Sequence, residues 1–145
     1  MVTVTGPWTS EAVTAFLQET TVPLRLGCRR PTGDLWMLSL WYRYTDDGFV
    51  CATSADADVV QYLEADTRVS FEVSTNEPPY RGVRGNGTAS IAVDGEKTVL
   101  CGLIERYLDD TESPLAERLL APDRREVAIT ISPDRLHSWD YTDRM

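Results

Sequence analysis

Residues 35–44, with the sequence LWMLSLWYRY, constrain the fold of this chain more than any other segment. Turn-forming residues lie on both sides, at 31–34 and 46–48, so the segment is predicted to be one strand of a hairpin. Successive side chains of a strand point to opposite faces. One face carries Trp36, Leu38, Leu40, Tyr42 and Tyr44, and the other carries Leu35, Met37, Ser39, Trp41 and Arg43. Since both faces are largely apolar, we predict a central strand with one face in the core and the other against a partner or a ligand.

Further segments with strand-like patterning follow at 24–29, 49–53, 69–73, 80–93, 127–131 and 136–141. Helical spacing appears at 9–20, at 54–63, at 99–108 and after Ser113-Pro114, with Thr9 or Ser10, Ser54 or Asp56, and Ser113 as predicted caps. Tight turns rather than long helices join most of the strands, which favours an antiparallel sheet. Six or seven strands in so short a chain predict a small barrel, because closure removes the exposed edges of a sheet. We expect one α+β domain over residues 1–145.

The charges of the chain are unequal. It has 23 acidic and 14 basic residues, a formal net charge of -9, and Lys97 is its only lysine. Such a surface repels phosphate backbones, so nucleic acid and anionic membrane are disfavoured as partners. No apolar run approaches the roughly 18 residues of a membrane-spanning helix, and the N-terminal residues lack the pattern of a signal peptide.

Residues of conventional catalytic chemistry are scarce. His137 is the only histidine, so a chain has at most one Ser-His-Asp or Cys-His unit, and we expect His137 to be structural. Cys28, Cys51 and Cys101 are odd in number and widely spaced, which favours buried, inert thiols in a reducing cytoplasm over disulfides or a zinc site. The aspartates at 46–47, 56–58 and 109–110 lack the spacing of a calcium loop and are predicted to lie in solvated turns and caps.

Three glycines interrupt the predicted strand 80–93, at Gly82, Gly85 and Gly87. A phosphate-binding loop needs its glycines between a strand and a helix, which this pattern does not offer. Glycine inside a strand marks a bulge or barrel corner, or a place where a flat ligand lies directly on the backbone, and both readings stay open. Arg81 and Arg84 of this segment either supply charge to a phosphate or are solvated.

The order of these elements resembles the pyridoxamine 5'-phosphate oxidase-like family of flavin-binding split barrels. The residues that carry the resemblance are 23–26, 33–44, Thr53, 59–63, 68–70, 80–89 and 129–139. It covers roughly residues 23–141, and its motifs are patterns of strands and small residues rather than a fixed signature.

The resemblance implies a six-stranded antiparallel split β-barrel that forms a homodimer, with two cofactor sites in clefts between the subunits. FMN is the cofactor it implies, and a deazaflavin coenzyme is the alternative. The isoalloxazine is implied to lie beside Met37, Leu38, Ser39, Leu40 and Trp41, the ribityl phosphate near Thr53 and Ser54, and the partner subunit's contribution to come from Tyr80, Arg81 and Arg84. The implied activity is that of a flavin-dependent oxidoreductase acting on a small molecule.

The chain departs from the family where the cofactor phosphate binds. The family usually has a basic residue at the start of the helix after the Thr53 strand and another on the Met37 strand. This chain has Asp56, Asp58 and Val59 at the first place and Met37 at the second. A hydrogen bond to a charged group contributes roughly 1.5 to 3 kcal/mol, so each lost base weakens binding by about one to two decades. Arg30, Arg43, Arg81 and Arg84 are the candidate replacements.

Two functions therefore remain open at this level, a homodimeric flavin-dependent oxidoreductase and a noncatalytic ligand-binding or sensor protein on the same barrel. A barrel kept only for assembly is a third. The preference for arginine and acid over lysine also resembles proteins of salt-loving archaea, in which high salt screens the repulsion between aspartates and a phosphate.

Overall fold

The computed structural model describes residues 2–109 and 112–144. The strands are β1 (Thr3–Thr5), β2 (Leu24–Arg29), β3 (Leu35–Leu40), β4 (Tyr42–Thr45), β5 (Gly48–Ser54), β6 (Arg68–Ser74), β7 (Arg81–Val93) and β8 (Glu126–Asp140). The helices are α1 (Ser10–Glu19), α2 (Asp58–Ala65), α3 (Thr98–Leu108) and α4 (Pro114–Leu119), and a short 3-10 turn spans Thr142–Arg144.

All eight strands belong to one sheet. Seven follow the order β3-β2-β6-β7-β8-β5-β4 with antiparallel pairing throughout, and β1 pairs with β8 in parallel. The strands at the two ends of this path, β3 and β4, are separated in sequence only by Trp41. A chain can join the two ends of a sheet through one residue only if the sheet curls until its ends meet. The fold is therefore an α+β half-barrel, a curled and mainly antiparallel sheet, with more strands than the six expected.

The segment 35–44 differs from its prediction in two respects. It breaks into β3 and β4 at Trp41, and β3 lies at one end of the sheet rather than at its centre. The curl of the sheet causes the break at Trp41, because a continuous strand would extend beyond the point where the two ends of the sheet approach each other. The side chains of β3 are consequently more exposed than a central strand allows, with Leu35 at 77% and Met37 at 69% exposure.

The two C-terminal strands predicted at 127–131 and 136–141 are one continuous strand, β8. Pro133 does not end it, because the pairing with β7 shifts register there. Gly87 faces Pro133 and Asn86 faces Arg135, which leaves Asp134 as an extra, unpaired residue. A β-bulge of this kind accommodates a proline that a regular ladder would exclude. The N-terminal strand β1 was not predicted.

The barrel interior is filled by apolar side chains from every long strand, among them Leu26, Phe49, Phe71, Val83 and Ile129. The helix α1 closes one side of this core through Val13 and Leu17. A smaller second cluster lies outside the barrel, where Leu100 and Ile104 of α3 pack against Ala116 of α4 with Trp41 and Ala52 beside them.

The predicted helix caps are confirmed at two of three places. The hydroxyls of Thr9 and Ser113 accept hydrogen bonds from the third amide after them, as N-caps do. At α2 the prediction of Ser54 or Asp56 is wrong, because Ala57 occupies the cap position and offers no side-chain acceptor. Ser54 Oγ instead accepts a hydrogen bond from the Asp56 amide. Within the described ranges 2–109 and 112–144, every helix is too short or too polar to cross a bilayer.

Candidate functional site

Two concave surfaces together contain six of the ten residues predicted to bind the cofactor. The outer groove, of about 590 Å³, lies on the outside of the sheet and contains Met37 and Arg84. The seam cavity, of about 260 Å³, lies where β3 passes into β4 and contains Ser39, Leu40, Trp41 and Thr53. The structure therefore does not bring the predicted cofactor-binding residues together in one place.

A cross-strand row of polar side chains runs along the outer groove. The pairing registers place Ser39 of β3, Arg25 of β2, Glu72 of β6, Arg84 of β7 and His137 of β8 side by side. Arg25 donates to Ser39 Oγ at 2.9 Å, and Arg84 Nε lies 3.0 Å from Glu72 Oε2. Opposite charges on directly facing residues stabilise such a row, although both members of the ion pair are partly exposed, so its contribution is small.

The floor of the outer groove is formed by Gly27. A Cβ built at Gly27 would lie 2.5 Å from Ser70 Oγ, so the Ser70 hydroxyl occupies the space that a side chain at this position would need. Arg25, Arg84 and Arg135 line the groove, and Glu72 is the only acidic side chain that the described part of the chain contributes to its lining. A chain with a net charge of -9 thus has a locally basic surface here, which favours an anionic occupant.

The seam cavity is mainly apolar. Leu100 and Leu103 of α3 and Leu115 and Leu119 of α4 form one wall, and the segment 39–41 forms the other. Trp41 stacks on Tyr107 with ring centroids 5.1 Å apart and an angle of 7° between the planes. The Tyr107 hydroxyl in turn donates to the carbonyl of Val22 at 3.0 Å and accepts from the Tyr42 amide at 3.2 Å. These contacts hold the Trp41 ring in a fixed orientation at the seam.

Arg124 is the cation of the seam cavity, and sequence analysis did not identify it. None of the four proposed replacements for the missing phosphate-binding base lines this cavity. Arg30 lies over the Trp36 ring, Arg43 reaches the Gly102 carbonyl and Arg84 lies in the outer groove. Arg124 precedes β8, far from Thr53 in sequence, and it lines the same cavity as Thr53 because β8 pairs with β5. No local pattern in the sequence indicates that β5 pairs with so distant a strand. Arg124 could therefore not be assigned to this cavity from the sequence.

The remaining predicted residues lie elsewhere. Leu38 packs against the core of the barrel, and Ser54 has its hydroxyl engaged at the start of α2. Tyr80 is exposed. Arg81 lines a separate cleft with Thr75 and the 76–79 turn. In a single chain, these four residues do not join the other members of the predicted site.

The cysteines and the histidine have structural environments. Burial raises the pKa of the Cys28 thiol, and it raises the pKa of the Cys51 thiol to about 12. These thiols therefore stay protonated and unreactive near neutral pH. His137 Nδ1 is hydrogen-bonded to Thr5 Oγ1 at 2.8 Å. The neighbouring Ser138 hydroxyl contacts backbone groups, accepting from the Trp8 amide and donating to the Thr5 carbonyl.

Among the residues with described positions, no group of three or more His, Cys, Asp or Glu side chains is arranged to hold a metal ion. Of the aspartates considered as cation ligands, Asp56 is paired with Arg125 at 3.1 Å. Asp110 lies outside the described residues.

Comparisons with known proteins identify the fold. The chain is similar to the crystal structure of a conserved hypothetical protein from Mycobacterium tuberculosis, with a TM-score of 0.74, 23% identity, and coverage of 93% of this chain and 86% of that one. It is similar to an F420 reductase with a TM-score of 0.71, 21% identity, and coverage of 90% and 97%. An FAD-binding protein from Mesorhizobium loti gives a TM-score of 0.64, 20% identity, and coverage of 90% and 93%.

No protein-family model matches the sequence. No curated protein matches it either. At these identities the likeness shows the fold alone, and the curled barrel of this chain is the fold of those structures.

Proposed function

We propose that this chain binds FMN as a homodimer and acts as a flavin-dependent oxidoreductase on a small-molecule substrate, with a deazaflavin coenzyme as the alternative cofactor. The proposal is supported by the fold, which the chain shares with an F420 reductase and an FAD-binding protein. It also agrees with the scarcity of acid-base side chains, since a bound flavin supplies the redox chemistry itself and the protein supplies binding, orientation and electrostatics.

The observation that carries the proposal is the exposure of β3. This strand ends the sheet, and on its free side no strand of the described chain pairs with it. Its side chains include Leu35, Trp36 and Met37, all large, apolar and exposed. A free edge with apolar side chains favours a cover, either a second protein surface or a flat apolar ligand with polar atoms at its rim. A dimer with a flavin in its cleft supplies both.

The groups at the seam are of the types that bind a flavin. Backbone groups along 37–41 are available to hydrogen-bond the polar rim of an isoalloxazine, and Trp41 offers an aromatic surface held by Tyr107. The cavity of about 260 Å³ on one chain is slightly below the range of about 300 to 1,000 Å³ for ligand sites. A second chain that contributes Tyr80, Arg81 and Arg84 would enlarge it, which is why the proposed site requires the dimer.

Binding tests the proposal directly. The purified chain is titrated with FMN and followed by flavin fluorescence, at low salt and at molar salt, while its mass is measured by light scattering. We expect a dimer that binds FMN or a deazaflavin at micromolar concentration, more tightly in molar salt if aspartates near the phosphate oppose binding. A monomer, or a dimer that binds neither cofactor under both conditions, contradicts the proposal.

Turnover separates the oxidoreductase from a noncatalytic binding protein. Steady-state assays use a nicotinamide reductant and a general electron acceptor with the FMN-loaded dimer. An oxidoreductase consumes both, and a sensor binds FMN and consumes neither. The start of α2 is the feature that favours a noncatalytic sensor, because the negative charges of Asp56 and Asp58 weaken the binding of a phosphate group.

A further inference from the structure

We propose that Arg124 is the residue that binds the phosphate of the flavin cofactor, in place of the base that this chain lacks at the start of α2. This assignment rests on the proposed function and adds to it a specific residue and a specific ligand group. Three features of the seam cavity and its surroundings support it.

The first feature is position. Arg124 lines the seam cavity together with Thr53, the residue near which the ribityl phosphate is expected, and with Trp41 at the expected ring position. Among the described residues, Arg124 is the only charged side chain in that lining, beside five leucines, one tryptophan, one alanine and the two hydroxyl-bearing residues Ser39 and Thr53. A cation in the lining of a mainly apolar cavity favours a ligand that is apolar over most of its surface and carries an anionic group.

The second feature is the way Arg124 is held. Its Nε pairs with Oε1 of Glu126, a carboxylate whose side chain is 0% exposed. A guanidinium has five N–H donors, so this contact engages one of them and leaves the four Nη–H groups. Within the described residues, no protein acceptor is recorded for those four. An arginine fixed through Nε presents its Nη edge as a fork, the geometry that suits a phosphate.

The buried carboxylate is itself incompletely paired. Oε2 of Glu126 has no hydrogen-bond partner, although the atom is shielded from water. A buried anion with one free oxygen is costly, and within the described residues its only ion-pair partner is Arg124. Arg124 is therefore the residue that compensates this buried charge. Glu126 is itself held in β8, where it pairs with Ser54 at the end of β5.

The third feature is the adjacent arginine. Arg125 Nη2 lies 3.1 Å from Oδ1 of Asp56, at the start of α2. The backbone carbonyl of Arg125 also accepts a hydrogen bond from the Ala55 amide at 2.9 Å. The two arginines before β8 thus have separate tasks. Arg125 compensates one of the aspartates that would repel a phosphate, and Arg124 faces the cavity.

The comparison of FMN with riboflavin tests this assignment, because the two ligands differ only in the phosphate. We expect Arg124→Ala to weaken FMN binding by about 10- to 100-fold and to leave riboflavin binding within about twofold. Arg124→Lys is expected to fall between the wild type and the alanine variant. Arg144→Ala, which removes an arginine from the C-terminal 3-10 turn, is the matched control and should leave the ratio of FMN to riboflavin affinity unchanged.

Removing Arg124 alone leaves Glu126 buried without its partner, which destabilises a protein. The double variant Arg124→Met with Glu126→Gln removes both charges and keeps similar volumes, and its riboflavin binding reports whether the cavity is intact. If this variant binds riboflavin normally and FMN weakly, the assignment holds. If it or Arg124→Ala keeps the wild-type preference for FMN, the assignment is wrong while flavin binding stands. If the wild type binds neither flavin, the proposed function and this assignment both fail.

Discussion

Arg106 of α3 stabilises the end of another helix, and its removal gives a measurable test of the fold. The last carbonyls of a helix have no partner within the helix. Arg106 donates to three carbonyls at the end of α1, to Gln18 at 2.8 Å, to Thr20 at 2.6 Å and to Leu17 at 3.3 Å. A cation at this end also interacts favourably with the helix dipole. Arg106 therefore ties α1 to α3 across the chain.

The expected loss follows from these contacts. Two of the three hydrogen bonds are short, and each is worth about 1.5 kcal/mol at the lower end of the range for charged groups, since Arg106 is half-buried. We therefore expect Arg106→Ala to lower the free energy of unfolding by about 3 kcal/mol. For 145 residues the entropy of unfolding is about 0.3 kcal/mol/K, so the melting temperature should fall by about 10 °C.

Thermal and urea unfolding, followed by circular dichroism, measure this loss. Arg106→Lys keeps the charge and its position over the rings of Tyr42 and Tyr107, but one ammonium does not reach all three carbonyls, so about half of the loss should remain. Arg118→Ala on α4 is a control for removing an arginine. A loss below about 1 kcal/mol for Arg106→Ala would refute the reasoning.

The other predictions concern the sheet and its buried ionisable groups. Gly85→Ala should abolish folding or lower stability strongly, because its Cβ would lie 1.9 Å from the Arg135 carbonyl oxygen, whereas Gly95→Ala, with open space around it, should melt within about 2 °C of the wild type. Stability should also fall above about pH 9. Burial raises the pKa values of both Cys51 and Tyr42, so at high pH the folded chain keeps protons that the unfolded chain has released. Each group then lowers the free energy of unfolding by up to about 1.4 kcal/mol per pH unit. Urea titrations from pH 7 to 11 measure this decline, and a flat profile would contradict it.

Local patterns were sufficient to predict most elements of the fold. Alternation at 69–73 and helical spacing at 99–108 correspond to β6 and α3, and Asp46-Asp47-Gly48 forms the predicted hairpin between β4 and β5. These predictions succeeded because each depends on neighbours in sequence. The strand β1 was missed, since three residues carry too little periodicity and its partner, β8, lies more than a hundred residues away.

The candidate site was harder to predict for a related reason. Its residues come together through pairings between distant strands, as when β5 meets β8 and brings Arg124 to Thr53. The break at Trp41 also had no local signal, since it follows from closure of the whole barrel. Arg81 and Arg84 are close in sequence, yet they line different clefts, because the path of β7 separates them.

The position of β8 has a consequence for how the chain folds during synthesis. β8 spans residues 126–140, but it lies between β7 and β5 and also carries β1. A ribosome adds about 5 to 20 residues per second. It therefore releases all seven of the other strands before β8, the strand that joins β5 to β7. For several seconds the facing edges of β5 and β7 are unpaired and open to wrong partners. A chain stalled or cleaved before residue 126 would lack the strand that joins the two halves of its sheet, and we expect such fragments to aggregate or be degraded.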